Sequence, residues 1–450
     1  MEANDLLDNF SSYISRLREN FSLSHFVIGF SGGIDSTVLV DLSVNYFVCG
    51  EGSFSIVHID HDLHAASGSW ARHCAAVASS MGQDCKIVKL DSSKPKPDGL
   101  EAWARSSRYQ ALSELVSPGV CVLTAHHSGD QVETILQHTL QGAGPYGLAG
   151  IPSIRPFSSG YLARPLLESS PFTINKYARL RNLKWVEDPS NSDEKFLRNN
   201  IRHTALPMLN SIVPDADQGL LRIGKIQSEL LDGLNDIIDE KLAHCELPIY
   251  QVDLRVFEKL PQSLYPYVVK RVVARLNMDI LGRRHINEIL KLCNAGYSAS
   301  PVVCWADSEV RLFRSRLYFM RKIPQCSNSG FKLDKVPGIF NLPGGQLKID
   351  ASMGTGLSQE KVIDAVCRVI FRKGGEMCRL NGRLHRHKLK KLFQSWGIPP
   401  WERGFMPILS TNDEIIAVGG HYINPDYVAA GEELGFTIQW RSNLYTVRSS

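Results

Sequence analysis

The stretch FVIGFSGGIDS, residues 26–36, decides both the fold and the chemistry of this chain. Its first five residues form a short apolar run typical of a buried strand. The two glycines that follow let the backbone approach an anion closely. The start of the next helix directs unpaired N–H groups at that anion, and the two serines can donate hydroxyl hydrogen bonds. We therefore predict that one loop binds nucleotide phosphates through Ser31, Gly32, Gly33, Ile34, Asp35 and Ser36.

Asp35 indicates a metal, because a carboxylate repels phosphate unless a cation lies between them. A tight strand-to-helix turn without a ligand is the alternative interpretation of the loop. The loop lacks the Gly-Lys-Ser/Thr ending of a Walker A motif. The string SGGIDS resembles the loop of the N-type ATP pyrophosphatases, also called PP-loop enzymes. The resemblance implies ATP and Mg²⁺ as cofactors and transfer of AMP to an oxygen, and it leaves the acceptor open.

Strands and helices alternate on both sides of this loop. Apolar runs predict further strands at 55–59, 86–90 and 120–124, and helical spacing predicts helices at 37–44, 69–81, 101–115 and 131–140. This alternation is typical of α/β proteins and predicts a doubly wound, mostly parallel sheet. Such sheets bind ligands beyond the C-terminal ends of their strands. We accordingly expect Ile59, at the end of the second strand, to contact the nucleotide.

The rest of the chain predicts two more domains. A long helix is expected at 214–242, further helices at 253–294 and a hairpin at 300–321, followed by a linker at 324–330. The last part reads as strands around one short helix, which indicates a small α+β domain. We predict a catalytic domain at 1–210, a helical linker and middle domain at 211–325 and a C-terminal domain at 330–450.

Composition excludes several classes of protein. The formal net charge is +4, which permits a polyanionic partner without requiring one. None of the ten cysteines forms a CxxC pair, which argues against zinc ribbons and Cys-ligated clusters. The N-terminus lacks the basic start and apolar run of a signal peptide, and no stretch is apolar enough to cross a bilayer. We expect a cytoplasmic protein with no membrane partner.

A second group of polar residues follows the predicted strand at 120–124. His126, His127, Asp130 and Glu133 could serve as metal ligands, acids or bases. They lie where a doubly wound sheet places catalytic side chains. The two carboxylates also stand near a helix start, where capping and the helix dipole offer a structural alternative.

Four segments are similar to the tRNA(Ile)-lysidine synthetases. AHHSGDQVETILQHTLQGAGPYGLAGI resembles the signature of that family, and three further segments match its motifs, at 101–109, 164–203 and 371–409. The sequence departs from the family pattern twice. Gly129 replaces the first of two adjacent aspartates, and Gln141 replaces an arginine. Gly129 removes one potential metal or lysine contact, while Asp130 keeps the second aspartate.

The resemblance implies a two-step ligation on a CAU-anticodon isoleucine tRNA. The 2-oxo group of the wobble cytidine attacks the ATP α-phosphate, and free L-lysine then displaces AMP to give lysidine, which changes decoding from AUG to AUA. We predict Asp35 and Asp130 as metal ligands and Arg105 as the catalytic cation, with Arg108 as a further candidate. Asp130 is the first choice for the base that deprotonates lysine, and His127 is the alternative.

Two basic stretches predict RNA contacts. The first contains Arg198 and Arg202, and the denser one contains Arg372, Lys373, Arg383, Arg386, Lys388, Lys390 and Lys391. Phosphate contacts of this kind supply affinity and register. A solvated basic face is the alternative. We also expect a homodimer formed through the helical linker.

Three other functions compete with the ligase. A tRNA thiolase of the same superfamily would also adenylate a base, but the absent CxxC argues against it. An amidotransferase relative needs an ammonia source, and no glutaminase signature is visible. A non-catalytic tRNA-binding protein is favoured only by Gly129. Pyrophosphate release with tRNA separates the enzymes from the binding protein, and lysine dependence separates ligation from thiolation.

Overall fold

A computed structural model describes most of the chain, in two compact units that meet at Ile237 and Ile238. Each unit is described by itself. The described residues are 3–50, 52–62, 67–91, 100–187, 197–279, 281–293, 301–324, 330–333, 336–362, 368–380, 385–411 and 414–445. The predicted linker at 324–330 falls largely outside them.

A six-stranded sheet forms the centre of the first unit. Its strands are β1 (His25–Gly29), β2 (Ser53–Asp60), β3 (Cys85–Lys89), β4 (Val120–Leu123), β5 (Ile154–Phe157) and β6 (Gly160–Ala163). Their order is β3-β2-β1-β4-β6-β5, and every neighbouring pair is parallel except β5 with β6. The predicted mostly parallel sheet is confirmed. The sequence did not indicate β5 and β6, which are only four residues long each.

Helices cover both faces of this sheet. They are α1 (Ala3–Phe21), α2 (Ile34–Cys49), α3 (Ser67–Ser80), α4 (Leu100–Ser113), α5 (Ser128–Leu140), α6 (Pro145–Leu148) and α7 (Pro171–Leu180). Successive residues of β1 point to opposite faces of the sheet and so contribute to two different hydrophobic cores. Phe26 and Ile28 pack with α1, α2, α3 and α7, whereas Val27 packs with Leu112 of α4. A strand that is buried on both faces needs such a continuous apolar run, which explains the FVIGF sequence.

The helical region that follows starts in the first unit and continues into the second. It contains α8 (Leu197–Asn200), a π-helical turn (Ile201–Ala205), α9 (Leu206–Ile212) and the long α10 (Ala216–Ala243). The second unit continues with β7 (Gln251–Asp253), α11 (Arg255–Glu258), α12 (Tyr265–Arg275), α13 (Arg283–Cys293), β8 (Val302–Trp305), β9 (Ser308–Phe313) and β10 (Arg316–Arg321). The predicted hairpin is a three-stranded antiparallel meander, β8-β9-β10, which β7 extends on the β10 side.

The C-terminal part is rich in short antiparallel strands. They are β11 (Phe331–Lys332), β12 (Gly338–Leu342), β13 (Gly345–Met353), β14 (Leu357–Ser358), β15 (Arg368–Ile370), β16 (Met377–Cys378), β17 (His387–Lys388), β18 (Ile408–Thr411), β19 (Glu414–Val418), β20 (Tyr422–Ile423) and β21 (Leu434–Ser442). Two helices accompany them, the single turn α14 (Gln359–Val362) and α15 (Leu389–Ser395). On α15, Leu389, Leu392 and Phe393 are buried in the core, as their helical spacing predicts.

Among the described residues, no helix combines the length and the apolar composition that crossing a bilayer requires.

Candidate active site

The candidate site lies where β1, β2 and β4 end. These strands are parallel neighbours, so their C-terminal ends meet at one edge of the sheet. The loop at 31–36 follows β1, Asp60 and His61 stand at the end of β2, and His126 and His127 follow β4. The structure therefore brings together the two sequence motifs that lie almost a hundred residues apart.

The phosphate loop keeps its shape through its own side chains. The hydroxyls of Ser31 and Ser36 lie 3.0 Å apart, and the Ser36 hydroxyl donates to the Gly33 carbonyl at 2.9 Å. Gly33 caps α2 without a side-chain hydrogen bond. The N–H groups of the first turn of α2 have no partner within the helix, so they are free of intrahelical bonds at the position where an anion is expected.

Gly32 is the residue of the loop whose backbone conformation favours glycine. Its φ is +88°, a region that side chains rarely adopt, and an added Cβ would lie 3.0 Å from the sulfur of Cys74. The Gly32 carbonyl also accepts a hydrogen bond from Val186 N–H at 2.9 Å. The glycine is therefore required by both backbone and packing.

We expect Gly32→Ala to destabilise the protein by about 1 to 2 kcal/mol through the strained backbone and to weaken ATP binding. Urea unfolding and calorimetric titration with ATP measure the two effects. Adding Cys74→Ala to Gly32→Ala should restore little of the lost free energy of unfolding. The second substitution removes the contact with the Cys74 sulfur but leaves the backbone strain at residue 32. Full recovery in the double variant would show that packing, not φ, requires the glycine.

His127 lies between two carboxylates. Its Nε2 is 3.7 Å from Asp35 Oδ2, and its Nδ1 is 3.7 Å from Asp130 Oδ2. Nδ1 also accepts the Asp130 backbone N–H at 3.3 Å as the cap of α5. A neutral imidazole whose Nδ1 accepts must carry its proton on Nε2, which faces Asp35. The lone pair of His127 is thus used by the helix cap, which weakens the alternative that His127 is the base.

In the part of the chain that the structure describes, Asp35 forms no ion pair with an arginine or a lysine, and its basic neighbour is His127. The Asp35 side chain is 37% exposed. Burial and the charge of Asp130 raise its pKa, although His127 and Arg202 act in the opposite direction. A bound cation would offset this cost of ionisation, so the position suits the predicted magnesium ligand.

Two arginines form ion pairs with Asp130 and Glu133. Arg198 donates to Asp130 at 2.5 Å and to Glu133 at 2.6 Å, and Arg202 donates to Glu133 at 2.5 Å. Glu133 is only 3% exposed. The structure thus places Arg198 and Arg202, which the sequence analysis assigned to RNA binding, against the carboxylates of α5. Both carboxylate oxygens of Glu133 accept hydrogen bonds from these guanidiniums.

Asp130 has both oxygens engaged. Oδ1 accepts from Arg198, and Oδ2 accepts the His127 backbone N–H at 2.9 Å. Burial alone would raise its pKa, but His127, Arg198 and His126 outweigh that effect and lower the pKa below its usual value. A carboxylate with a lowered pKa is a weak base, and one with two occupied oxygens has little room for a metal.

His126 is neutral. Burial, reinforced by Arg164, Arg105 and Arg198, lowers its pKa to about 3 despite Asp130. Its Nδ1 lies 3.0 Å from the Thr124 hydroxyl.

The remaining predicted residues lie at the same edge of the sheet. Arg105 and Arg108 belong to α4; the Arg105 guanidinium lies 5.3 Å from the Tyr109 ring centre, and Arg108 Nε donates to His61 Nε2 at 3.4 Å. Burial and Arg108 lower the pKa of His61 to about 4. Ile59 is half-buried and packs on the core beneath α4.

The structure explains one departure from the family pattern. A Cβ on Gly129 would lie 2.9 Å from His127 Cε1 and 3.1 Å from Pro171 Cγ. An aspartate would therefore not fit at this position without a shift of the His127 ring. Gln141, the other departure, is exposed at the C-terminal end of α5.

The C-terminal basic stretch lies on the surface of the second unit. Lys373, Lys388, Lys390, Lys391 and Arg386 are exposed, while Arg372 is half-buried with Nε 3.7 Å from Glu376. Arg383 lies outside the described residues. An exposed basic face is compatible with RNA and with solvent alone, so this assignment stays a prediction.

Tyr109, Arg155 and Arg164 also line this edge and were not singled out from the sequence. Arg155 and Arg164 belong to the ends of β5 and β6. Tyr109 ends the 101–109 segment and Arg164 begins the 164–203 segment, both of which resemble family motifs, whereas Arg155 lies in neither segment.

Comparison with known proteins shows which family of sequences this chain matches. Family models match three regions: a PP-loop domain at 6–209, a TilS substrate binding domain at 253–318 and a TilS substrate C-terminal domain at 367–440. The chain is 32% identical over 423 residues to the tRNA(Ile)-lysidine synthase of Methylococcus capsulatus, covering 93% of this chain and 96% of that one. It is 34% identical over 400 residues to the corresponding protein of Alkalilimnicola ehrlichii, with 88% and 89% covered.

Proposed function

The chain belongs to the tRNA(Ile)-lysidine synthase family, and from this membership we propose that it joins free L-lysine to C2 of the wobble cytidine of a CAU-anticodon isoleucine tRNA. It is a ligase with an ATP-utilising PP-loop domain. The proposed reaction has the cytidine adenylated first, with release of pyrophosphate, and then attacked by the lysine ε-amine, with release of AMP. We place the reaction in the cytoplasm.

One observation carries the proposal. The uncapped start of α2 lies at the same strand ends as Asp35, His127 and Asp130. Adenylation gathers negative charge on phosphate oxygens, and preorganised N–H groups and cations stabilise such charge. The same edge carries carboxylates for an ammonium group, so both reaction partners can be bound there.

The first step relies on the loop and on Asp35. The first-turn N–H groups of α2 hold the ATP phosphates. Mg²⁺ fits at Asp35, since that ion commonly uses one or two carboxylates, substrate phosphates and water. Among the described residues, no cluster of three or more metal-binding side chains is placed to hold a metal by itself. When bound, the metal would neutralise developing charge on the phosphates. Arg105 is proposed to contribute a second positive charge.

The second step relies on the four charged residues around α5. Asp130 and Glu133 hold Arg198 and Arg202 in place. A free amino acid carries one carboxylate and two ammonium groups. We propose that the arginines bind its carboxylate and that Asp130 accepts a hydrogen bond from its ε-amine, with Arg198 shifting toward the ligand.

The lysine amine must lose a proton before it attacks, because its usual pKa is near ~10.4. The pKa of Asp130 and the pKa of His126 are both lowered, so neither group is a strong base for this proton. Neighbouring guanidiniums and burial both disfavour an ammonium ion. The cationic surroundings themselves therefore favour the neutral, nucleophilic amine, and Asp130 only needs to orient it.

RNA binding is proposed to use the exposed basic face of the C-terminal region, whose residues were given above. These contacts would supply affinity and register, while the base enters the site of the first unit. A homodimer remains a prediction of the sequence analysis.

The decisive experiment incubates the protein with ATP, magnesium, labelled lysine and an isoleucine tRNA bearing CAU. A methionine tRNA with the same anticodon is the control. We expect stable label and pyrophosphate release with the isoleucine tRNA alone. Pyrophosphate release without lysine incorporation would indicate another acceptor chemistry such as thiolation, and neither signal would indicate a binding protein.

Asp130→Asn separates its two proposed roles. If Asp130 orients lysine, pyrophosphate release should persist while the lysine KM rises about tenfold or more, the equivalent of one lost charged contact. If Asp130 binds the metal, pyrophosphate release itself should fall and depend more steeply on magnesium. Single-turnover assays that follow pyrophosphate and lysine incorporation separately give the answer.

A further inference from the structure

A group of arginines surrounds Tyr109 on the side of the site away from the phosphate loop. The guanidinium carbons of Arg105 and Arg155 lie 5.3 and 5.6 Å from the centre of the Tyr109 ring. Arg155 also lies 5.2 Å from the centre of the Phe157 ring, which meets Tyr109 edge-to-face at 5.9 Å. Two positive charges thus share one aromatic ring, an arrangement that orders both side chains.

Arg164 adds a buried charge to this group. It directly follows β6 and is only 4% exposed. Its Nη1 donates to the Pro152 carbonyl at 2.6 Å, but its buried Nε has no hydrogen-bond partner among the described residues. Burial lowers the pKa of Arg164, and Arg155 and Arg105 lower it too, although Tyr109 acts in the opposite direction. An unsatisfied donor on a buried cation is costly.

No described carboxylate forms an ion pair with Arg105, Arg155 or Arg164. Arg198 and Arg202, a short distance along the same edge, are fully paired with Asp130 and Glu133. Within the described part of the chain these three guanidiniums have no carboxylate counterion and repel one another, and a phosphate is the group that their planar forks match best. The difference between the two arginine groups indicates that the unpaired one receives its negative charge from a ligand.

The positions of Arg155 and Arg164 in the sheet limit which phosphate these arginines can bind. The strand order β1-β4-β6-β5 puts the ATP loop at β1 and the arginines at β6 and β5, with His126 after β4 between them. The register of Ile154 with Ala163 sets Arg155 and Arg164 at the same end of the sheet. A ligand here approaches the reaction centre from the side opposite the loop that holds ATP.

We propose that Arg155 and Arg164 form a phosphate-binding subsite for the RNA backbone next to the nucleotide that reacts, while Arg105 keeps its proposed role at the ATP phosphates. The inference rests on the proposed function, since it assumes a polynucleotide substrate. The subsite holds the RNA strand so that the reacting base reaches the α-phosphate of ATP. The pyrophosphate released from ATP has the same chemistry and is the competing source of the phosphate.

The test compares Arg155→Gln with Arg155→Lys in the full chain. Arg155 is half-buried and packs mainly on two rings, so glutamine removes the charge and keeps part of the contact. Arg179→Gln, an exposed arginine in the last turn of α7, is the matched control. Fluorescence anisotropy measures binding of a CAU anticodon stem-loop RNA over a range of salt concentrations, and calorimetry measures binding of inorganic pyrophosphate.

We expect Arg155→Gln to bind the RNA about fivefold more weakly at ~0.1 M salt and to lose about 0.7 from the slope of log K against log salt. Arg155→Lys should keep most of that slope, and pyrophosphate binding should not change. A loss confined to pyrophosphate would assign the subsite to that leaving group and overturn the RNA assignment. Unchanged binding of both probes would overturn the subsite altogether. Wild-type protein that fails to bind the stem-loop would instead contradict the proposed function, and the pyrophosphate measurement would still test the arginines.

Discussion

Asp35→Asn is expected to lower the rate of ATP-dependent pyrophosphate release by about 100- to 1000-fold, the usual cost of removing one preorganised electrostatic group. The reason is geometric. Among the described residues Asp35 has no arginine within salt-bridge distance, and it stands in the first turn of the helix whose N–H groups are proposed to bind phosphate. Asparagine keeps the size of the side chain and removes the charge that holds the cation.

The same variant should not lose stability. Burial and Asp130 raise the pKa of Asp35 in the folded protein. A carboxylate with a higher pKa folded than unfolded makes folding less favourable at pH values above its unfolded pKa, since ionisation is then easier in the unfolded chain. Replacing it with a neutral amide therefore leaves Tm unchanged or slightly higher at pH 7.

Pyrophosphate release with tRNA and thermal unfolding without ligands measure the two effects on one preparation. Asp62→Asn is the matched control, because Asp62 is an exposed aspartate just beyond β2 that pairs with Lys89 at 3.3 Å. Asp62→Asn should release pyrophosphate at the wild-type rate. Retained activity in Asp35→Asn at saturating magnesium would remove Asp35 from the metal site.

Glu133→Gln has the largest expected effect on stability. Glu133 is almost fully buried and accepts hydrogen bonds from Arg198 and Arg202. Removing one partner of a buried ion pair costs about 3 to 5 kcal/mol. Since the two guanidiniums are about a third exposed and can partly rehydrate, we expect a loss of about 2 to 3 kcal/mol in the free energy of unfolding.

Glu133→Gln should also lower the rate of lysine incorporation, because Arg198 and Arg202 would no longer be held at the proposed lysine site. Urea unfolding gives the free energy, and lysine incorporation gives the rate. Glu229→Gln, an exposed glutamate on α10, should change stability by less than about 0.5 kcal/mol.

Combining Glu133→Gln with Arg202→Gln tests the pairing directly. The double variant should be more stable than the sum of the two single losses predicts, since the second change removes one uncompensated charge. Strictly additive losses would mean that the Arg202–Glu133 contact contributes nothing to stability.

Much of the fold was predictable because its signals are local. The apolar runs of β1, β2 and β4 and the helical spacing between them predict a parallel sheet without any knowledge of contacts. Gly32 marks the phosphate loop for the same reason, because its positive φ is a backbone conformation that glycine adopts most readily. The edge where ligands bind then follows from the sheet type alone.

The partners of the charged residues were not predictable. Arg198 and Arg202 look like RNA-binding residues in a basic stretch, yet the fold pairs them with Asp130 and Glu133, more than sixty residues earlier. Arg155 and Arg164 meet Tyr109 only because two four-residue strands, too short to give a sequence signal, join the sheet. Sequence spacing determines which face of a helix or strand a side chain occupies, and so it determined the loop, the sheet and the catalytic edge. Which charges meet across that edge depends on how separate elements dock, and only the tertiary structure decided it.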